Sequence, residues 1–270
     1  MHKVTIVIPT YNGEKYIGET IESCINQTYA NIKIVVVDDH SSDNTLEVLK
    51  HYQKQIVIIC NKENQGLPKN INKVILKDDS KYFIYLGHDD LLPPDHIEKM
   101  VAEFTENTVA VHCNSIVIDE NGEGNEYSRD DSEQLNKTKD IDFQLSLNNF
   151  ISIIGMMHCT KSFQKIAGWD EVYTLYGEWL YYCRILNCGI IKYSQKTYAY
   201  YRKHNTNISK TLYDSNKIYS FLKYKIRCKR CAYARAKLSI MQKLYFYICF
   251  LPDILRLFKC AVHKNFKLKK

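Results

Sequence analysis

No stretch of this 270-residue chain stays apolar over the ~18–20 residues that a bilayer-spanning helix needs. The longest late run, Leu244 to Leu251, stops at Pro252-Asp253. A secretory leader is also missing. Met1-His2-Lys3 leads into a short apolar run that ends at Pro9, below the ~7–15 residues of an h-region. Together these absences predict a cytoplasmic protein. Glycine loops that cradle phosphate are absent as well. There is no G-x-x-x-x-G-K-[ST], and Gly122-Glu123-Gly124 lies in a polar stretch without the third glycine of G-x-G-x-x-G. A P-loop kinase and a dinucleotide oxidoreductase are thereby disfavoured. No internal repeat or low-complexity segment occurs. The ten cysteines are irregularly spaced, and without an export signal they read as buried thiols rather than disulfides. The C-x-x-C at Cys228-Lys229-Arg230-Cys231 supplies two of the four ligands that a structural zinc requires.

What is present is ordinary for a globular protein. Hydrophobic residues make up 45% and charged residues 25%, which excludes disorder, collagen and a coiled-coil rod. The length allows one large domain, or one domain with an appendage. Charge is unevenly spread. Residues 217–270 hold 15 Lys+Arg and a single acid, Asp253, and carry +14. The preceding residues hold 22 basic and 29 acidic side chains and carry −7. Such a division assigns the chemistry to the body, and to the tail a meeting with something negative.

Along the body, strand signals alternate with helix signals. Val4–Ile8 is β-branched and runs into Pro9-Thr10-Tyr11-Asn12-Gly13. Residues 14–28 carry apolar groups at helical spacing. Lys33–Val37 reads as a strand ending in Asp38-Asp39, and Ser42 or Asp43 can cap a helix through about Lys54. Ile56–Cys60 is a third strand, followed by a helix from about Pro68 to Lys77. Tyr82–Leu86 is a fourth strand and ends in Gly87-His88-Asp89-Asp90. Pro94 suits the first position of a helix through about Thr105, and Val109–Ile118 reads as a strand. Residues 119–140 read as a polar loop, 141–168 as helical in patches, and the tail as one or two basic helices. Alternation of this kind implies crossover connections and a mostly parallel sheet flanked by helices. Ligands of such sheets bind beyond the carboxyl ends of the strands. Three polar clusters fall there: Pro9–Asn12, Asp38-Asp39 and Asp89-Asp90.

Paired carboxylates are costly to keep ionised unless a cation or a hydrogen-bond network attends them. Asp89-Asp90 therefore suits Mn²⁺ or Mg²⁺, hard cations that prefer oxygen and often bridge to substrate phosphates. The other reading of both acidic pairs is a solvated turn before a helix.

At this point the residues resemble a known family. Val4–Asn12 (VTIVIPTYN), Ile34–Thr45 (IVVVDDHSSDNT), Asn64-Gln65-Gly66-Leu67 and Tyr85–Pro93 (YLGHDDLLP) are similar to the signature blocks of family 2 glycosyltransferases with the GT-A fold. Ala167-Gly168-Trp169-Asp170-Glu171, Gly177-Glu178-Trp179, Arg184 and Gly189 resemble its acceptor-side block, and Tyr201-Arg202-Lys203-His204 its closing Y-R-x-H. The resemblance covers about residues 2–209. It implies a GT-A catalytic domain over 1–210, with the nucleotide-sugar part at about 1–118 and the acceptor part at about 119–210. A basic helical tail, 211–270, follows.

The resemblance also implies roles. Pro9, Tyr11 and Asn12 would line the nucleoside pocket, with Thr10, Asp38, Gly66, Lys69 and Asp89 completing the nucleotide-sugar site. Asp39 would accept from the base imide N–H, which favours uracil or thymine and hence a UDP-sugar. Asp89 and Asp90 would hold the metal that bridges the donor diphosphate, and His204 would reach the diphosphate or the metal. Glu178 matches the catalytic base of an inverting transfer. Two positions depart from the family pattern: Gly87 stands where the metal block often begins with Asp, and Glu178 replaces the usual Asp. Both leave open a catalytically silent nucleotide-sugar-binding homologue. Trp169 and Trp179 could stack on a sugar or serve as core aromatics.

Val35–His40 also resembles the acidic-pair strand of response-regulator receivers, with Asp89 as the phosphoacceptor; the opening strand and residues 150–210 argue against it. Interleaved aromatic, aliphatic and basic residues in 217–270 suit an anionic membrane surface, and hence a protein peripheral to the inner face of the plasma membrane, or else a helical appendage packing on the body or pairing two subunits. Nothing resembles a nucleic-acid reading motif. The 30 Lys against 7 Arg suit an AT-rich bacterial genome. With the family resemblance, they suggest transfer to a glycan or lipid-linked acceptor in surface polysaccharide synthesis, such as capsule or O-antigen.

Overall fold

The computed structural model describes residues 1–128, 140–173, 177–207 and 218–267, with side chains of the last helix described to 261. The body begins with β1 (Val4–Thr10), α1 (Ile17–Ile25), β2 (Ile32–Asp38), α2 (Thr45–Lys50), β3 (Val57–Cys60), α3 (Leu67–Ile75), β4 (Tyr82–Tyr85), α4 (His96–Ala102) and β5 (Thr108–Ile118). It continues with β6 (Glu126–Tyr127), α5 (Ile141–Leu147), β7 (Met157–Cys159), α6 (Thr160–Lys165), α7 (Glu178–Ile185) and β8 (Ile190–Arg202). Helices α8 (Ile218–Arg235) and α9 (Ile240–Lys267) follow.

The strand order is β3-β2-β1-β4-β7-β5-β6, with β8 alongside β5. Strands β3, β2, β1 and β4 are parallel, and β5 is parallel to β8. Strand β7 runs antiparallel between β4 and β5, and β6 is antiparallel to β5. The sheet is thus mostly parallel, as the alternation of elements implies. Every residue of β1 is buried, as expected of a central strand covered on both faces. Helix α1 buries Ile17, Thr20, Ile21 and Cys24, a helical stripe that contains one hydroxyl. Ile6, Ile8, Val36, Ile84, Ile97 and Met100 belong to one core cluster, each contributing about 1.5–3 kcal/mol by leaving water.

Several elements differ from the sequence expectation, among them β6 in the stretch read as a loop and β7 in the stretch read as helical. Helix α4 starts at His96, not Pro94. The carbonyls of Pro93 and Pro94 instead accept from Gln27 Nε2 and Thr28 N, at 2.8 Å each, tying this turn to the end of α1. Strand β8, thirteen residues long, gives no strand signal because it mixes Lys, Gln, Ser and Tyr. It forms by pairing along β5 across two register irregularities.

The described residues fall into two compact units. One comprises 1–128, 151–173 and 177–203; the other comprises 140–150, 204–207 and 218–267. Helix α5 lies in the same unit as α8 and α9. Arg235 of α8 pairs with Asp142 of α5 at 3.0 Å, and Gln242 of α9 donates to Asp140 at 3.0 Å. Leu145, Leu222, Tyr224, Ile226 and Ala232 are buried in this unit.

Candidate active site

The first unit gathers the polar strand ends at the carboxyl edge of β1, β2 and β4. Pro9 and Thr10 are the buried last residues of β1, whereas Tyr11 and Asn12 emerge into solvent. Asn12 adopts φ 51° and locks onto the neighbouring loop. Its N–H donates to Ser41 Oγ at 2.9 Å, and its Oδ1 accepts from the Ser42 N–H at 2.9 Å. Gly13 N–H donates to Thr45 Oγ1 at 2.8 Å, and Asp43 accepts from the Glu14 and Thr45 N–H groups. Burial opposes ionisation of Asp43, but the Thr45 hydroxyl and these N–H groups outweigh it and hold its pKa below the usual range.

Asp38 and Asp39 end β2 and are both buried. Asp38 Oδ2 accepts from Ser41 N–H at 3.1 Å, and its Oδ1 is buried without a protein partner. Asp39 is more fully engaged. Its Oδ1 accepts from Asn61 Nδ2 and Gln65 N–H, at 2.8 Å each, and its Oδ2 from Gly66 N–H at 2.9 Å. Gly66, at φ 85°, turns the chain into α3 in a conformation that an L side chain resists. A carboxylate has about four acceptor positions, so one remains on Oδ2. Lys69 lies exposed in the first turn of α3.

The Asp89-Asp90 turn follows β4 and is held from two sides. From α1, Thr20 Oγ1 donates to the carbonyls of His88 and Asp90 at 2.9 and 3.0 Å. From β8, Leu91 and Tyr200 exchange backbone hydrogen bonds, Arg202 N–H donates to Asp90 Oδ1 at 3.1 Å, and Arg202 Nε donates to the Asp89 carbonyl at 3.0 Å. Arg202 is fully buried; its guanidinium also pairs with Glu19 at 2.6 Å and lies over the Tyr16 ring. Sequence reasoning gave roles to neither Arg202 nor Thr20. Their signals were a hydroxyl inside an apolar helical stripe and the arginine of the Y-R-x-H block.

Gly87 explains its own departure from the family pattern. A Cβ there would meet Asp89 Oδ1 at 2.8 Å and Asp90 Oδ2 at 2.9 Å, so the two carboxylates close over the space that a side chain would fill. Burial, and then the neighbouring Asp89 charge, push the Asp90 carboxyl well above the usual carboxylate range, with Arg202 opposing. Two close carboxylates, one of them buried, form an unfavourable pair for isolated charges and a suitable one for a hard divalent cation that takes further oxygens from a diphosphate. No group of three or more His, Cys, Asp or Glu that could hold a metal occurs among the described residues. His204 belongs to the second unit, where its Nδ1 meets Thr206 Oγ1 at 2.8 Å and its Nε2 meets Asn207 Nδ2 at 3.1 Å. A metal role for His204 would require release of that ring from its own turn.

Glu178 opens α7 and accepts from Gly177 N–H at 3.0 Å. Gly177 packs on Trp169 and Pro68; a Cβ there would lie 3.2 and 3.8 Å from their rings. Pro68 lies in the first turn of α3, which Gly66 precedes, and Trp169 meets the Tyr85 ring edge-on at 5.8 Å. The Tyr85 hydroxyl is pushed upward by burial first, then by the charges of Asp90, Asp89 and Glu178. Trp169 and Trp179 are both buried and serve as core aromatics. The acceptor-side block is tethered to α3 by Asn72, whose amide bonds both the N–H and the carbonyl of Trp169 at 2.9 Å and also reaches Glu171. Gly168 (φ 71°) is required there, because a Cβ would strike the Asn72 side chain at 2.2 Å.

Residues 5–166 match the family described as Glycosyl transferase family 2. The chain belongs to this family. An uncharacterised glycosyltransferase of Rickettsia typhi is 28% identical over 211 residues, 77% of this chain and 66% of that relative. This chain spans 54% and 36% of two further rickettsial relatives, in Rickettsia prowazekii and Rickettsia felis. The fold is that of GT-A glycosyltransferases. Staphylococcus aureus TarS, solved with UDP-GlcNAc, superposes with TM-score 0.70 at 21% identity, covering 93% of this chain and 72% of that one. Mannosyltransferase PcManGT of Pyrobaculum calidifontis, solved with GDP-Man and Mn²⁺, gives 0.66 at 14% identity, covering 97% and 75%. No helix among the described residues is long and apolar enough to cross a membrane.

Proposed function

We propose that this family 2 glycosyltransferase moves a sugar, with inversion, from a UDP-sugar to a hydroxyl of a glycan or lipid-linked acceptor. The observation that carries the reading is the meeting of Asp39 and the Asp89-Asp90 pair at one edge of the sheet, beyond the carboxyl ends of the parallel strands β2 and β4, with Asp39 anchored to the start of α3 and both other carboxylates closing over Gly87. On this reading Asp39 receives the imide N–H of uracil at its remaining acceptor position. Tyr11 and Asn12 border the nucleoside; Lys69 offers charge to the diphosphate.

Asp89 and Asp90 would hold Mn²⁺ or Mg²⁺, which supplies neutralising charge for the leaving diphosphate. Glu178 takes the proton from the acceptor hydroxyl as its oxygen bonds the anomeric carbon and the carbon–oxygen bond to the diphosphate breaks. One in-line displacement inverts the anomeric configuration. The lysine-rich composition and the family support a product in bacterial surface polysaccharide, built at the inner face of the plasma membrane.

The test is a thermal-shift and hydrolysis panel of UDP-, GDP- and dTDP-sugars, with and without Mn²⁺. Stabilisation by uridine nucleotides that increases with metal is the expected result. A response to GDP-sugars alone would overturn the donor reading. Nucleotide binding without turnover across glycan acceptors would support the silent homologue.

A further inference from the structure

The second unit carries a surface to which the proposed transfer assigns no residue. Helix α9 packs on α8 through Phe246, stacked on Tyr233 with ring centroids 4.3 Å apart, and through Asp253, paired with Lys225 and Lys229 at 2.8 and 2.7 Å. These contacts fix its inward face. On the outward side Met241, Leu244, Ile248, Leu251, Leu255 and Phe258 are each more than half exposed. At 3.6 residues per turn their spacing of three and four makes one continuous apolar stripe. The exposed charged side chains of α9 among the described residues, Lys243, Arg256 and Lys259, are all positive. Helix α8 adds Lys223, Arg227 and Arg230 on an exposed face of its own.

Charge decides what covers the stripe. A second copy would bring one tail of 15 Lys+Arg against another. The sole acid, Asp253, is buried in its own ion pairs, so no carboxylate of the tail is left to pair across such an interface. An anionic bilayer satisfies both features: apolar side chains enter the headgroup boundary while Lys and Arg meet the lipid phosphates. We infer that α9 lies in the plane of an anionic membrane surface, with the Met241–Phe258 stripe turned into the lipid. The inference sharpens the proposed lipid-linked acceptor by naming the surface that meets the membrane, and it is tested without any sugar nucleotide.

The full chain is sedimented with phosphatidylcholine vesicles, pure or containing about 30% phosphatidylglycerol. Anionic vesicles should capture it at least ~10-fold better than neutral ones, and added salt should weaken capture. Exchanging Arg256 and Lys259 for Gln should each weaken it about fivefold. The double variant Ile248→Glu with Leu251→Glu should abolish capture while leaving the thermal midpoint and the nucleotide-sugar response unchanged. Equal capture by neutral vesicles, or full capture of the double variant, would overturn the inference. So would absence of capture together with a concentration-dependent dimer that the double variant disrupts, which would assign the stripe to a second copy. A chain that binds vesicles but answers no sugar nucleotide would sink the transferase reading and leave this one standing.

Discussion

Glu178 is one methylene longer than the family's usual aspartate, and its backbone position is set by Gly177 packing against Trp169 and Pro68. If it is the base, Glu178→Gln keeps the shape and removes the proton acceptor. Transfer should fall about 10²–10⁴-fold while the nucleotide-sugar thermal shift persists; a variant that transfers as well as wild type would remove Glu178 from the mechanism. Gly87 is the second residue whose identity matters at atomic distance. Gly87→Ala places a methyl where Asp89 Oδ1 and Asp90 Oδ2 now lie, at 2.8 and 2.9 Å. Those carboxylates must move, so metal-dependent stabilisation should weaken at least ~10-fold, with the melting midpoint within a few degrees of wild type. Unchanged metal titration in that variant would show that the two carboxylates do not act together.

Between elements, His96 joins the start of α4 to β8 and to the turn before β7. Its Nε2 meets the Gly155 carbonyl at 2.7 Å, and its Nδ1 meets Thr197 Oγ1 at 3.1 Å. Burial lowers its pKa to about 4, against its hydrogen bonds to the Gly155 and Tyr198 carbonyls, while the ordinary value is 6.5. The unfolded chain therefore binds the proton first as pH falls. His96 leaves stability undiminished above about pH 6.5 and costs up to about 1.4 kcal/mol per pH unit from there down toward pH 4. His158, buried and lowered to about 3, adds the same slope and carries it further down. Urea midpoints between about pH 7 and 4 should fall more steeply in wild type than in His96→Gln. Parallel slopes would mean that the histidine is not neutral in the fold.

At the scale of the molecule, two units carry different charge and different reporters. Both tryptophans, Trp169 and Trp179, lie in the first unit, while Asp253 sits in the second, bonded to Lys225 and to the buried Lys229. Asp253→Asn strands the Lys229 charge and should cost about 3–5 kcal/mol there. Circular dichroism should show an early helical transition in denaturant, with tryptophan fluorescence unfolding where it does in wild type. Coincident, equally shifted transitions would show instead that the two units unfold as one. The same chain segment that carries +14 thus depends on its single carboxylate.

The strand-and-helix alternation of the first 118 residues, the acidic pairs at the carboxyl edge and the split of charge were legible without coordinates. Each follows from local periodicity or from a topological rule that acts whatever the neighbours are. The placement of α5 with the tail, β8 along β5, and the outward face of α9 were decided by tertiary pairing. So were the ties that hold the Asp89-Asp90 turn. Arg202 reaches Asp90 across 112 positions of sequence, and Asn72 reaches Trp169 across 97. A buried donor at such range is satisfied by whichever acceptor the packed sheet delivers, and no local pattern encodes that partner. Gly87 shows the same limit: its missing side chain reads as a lost ligand in one dimension, and as room for two carboxylates in three.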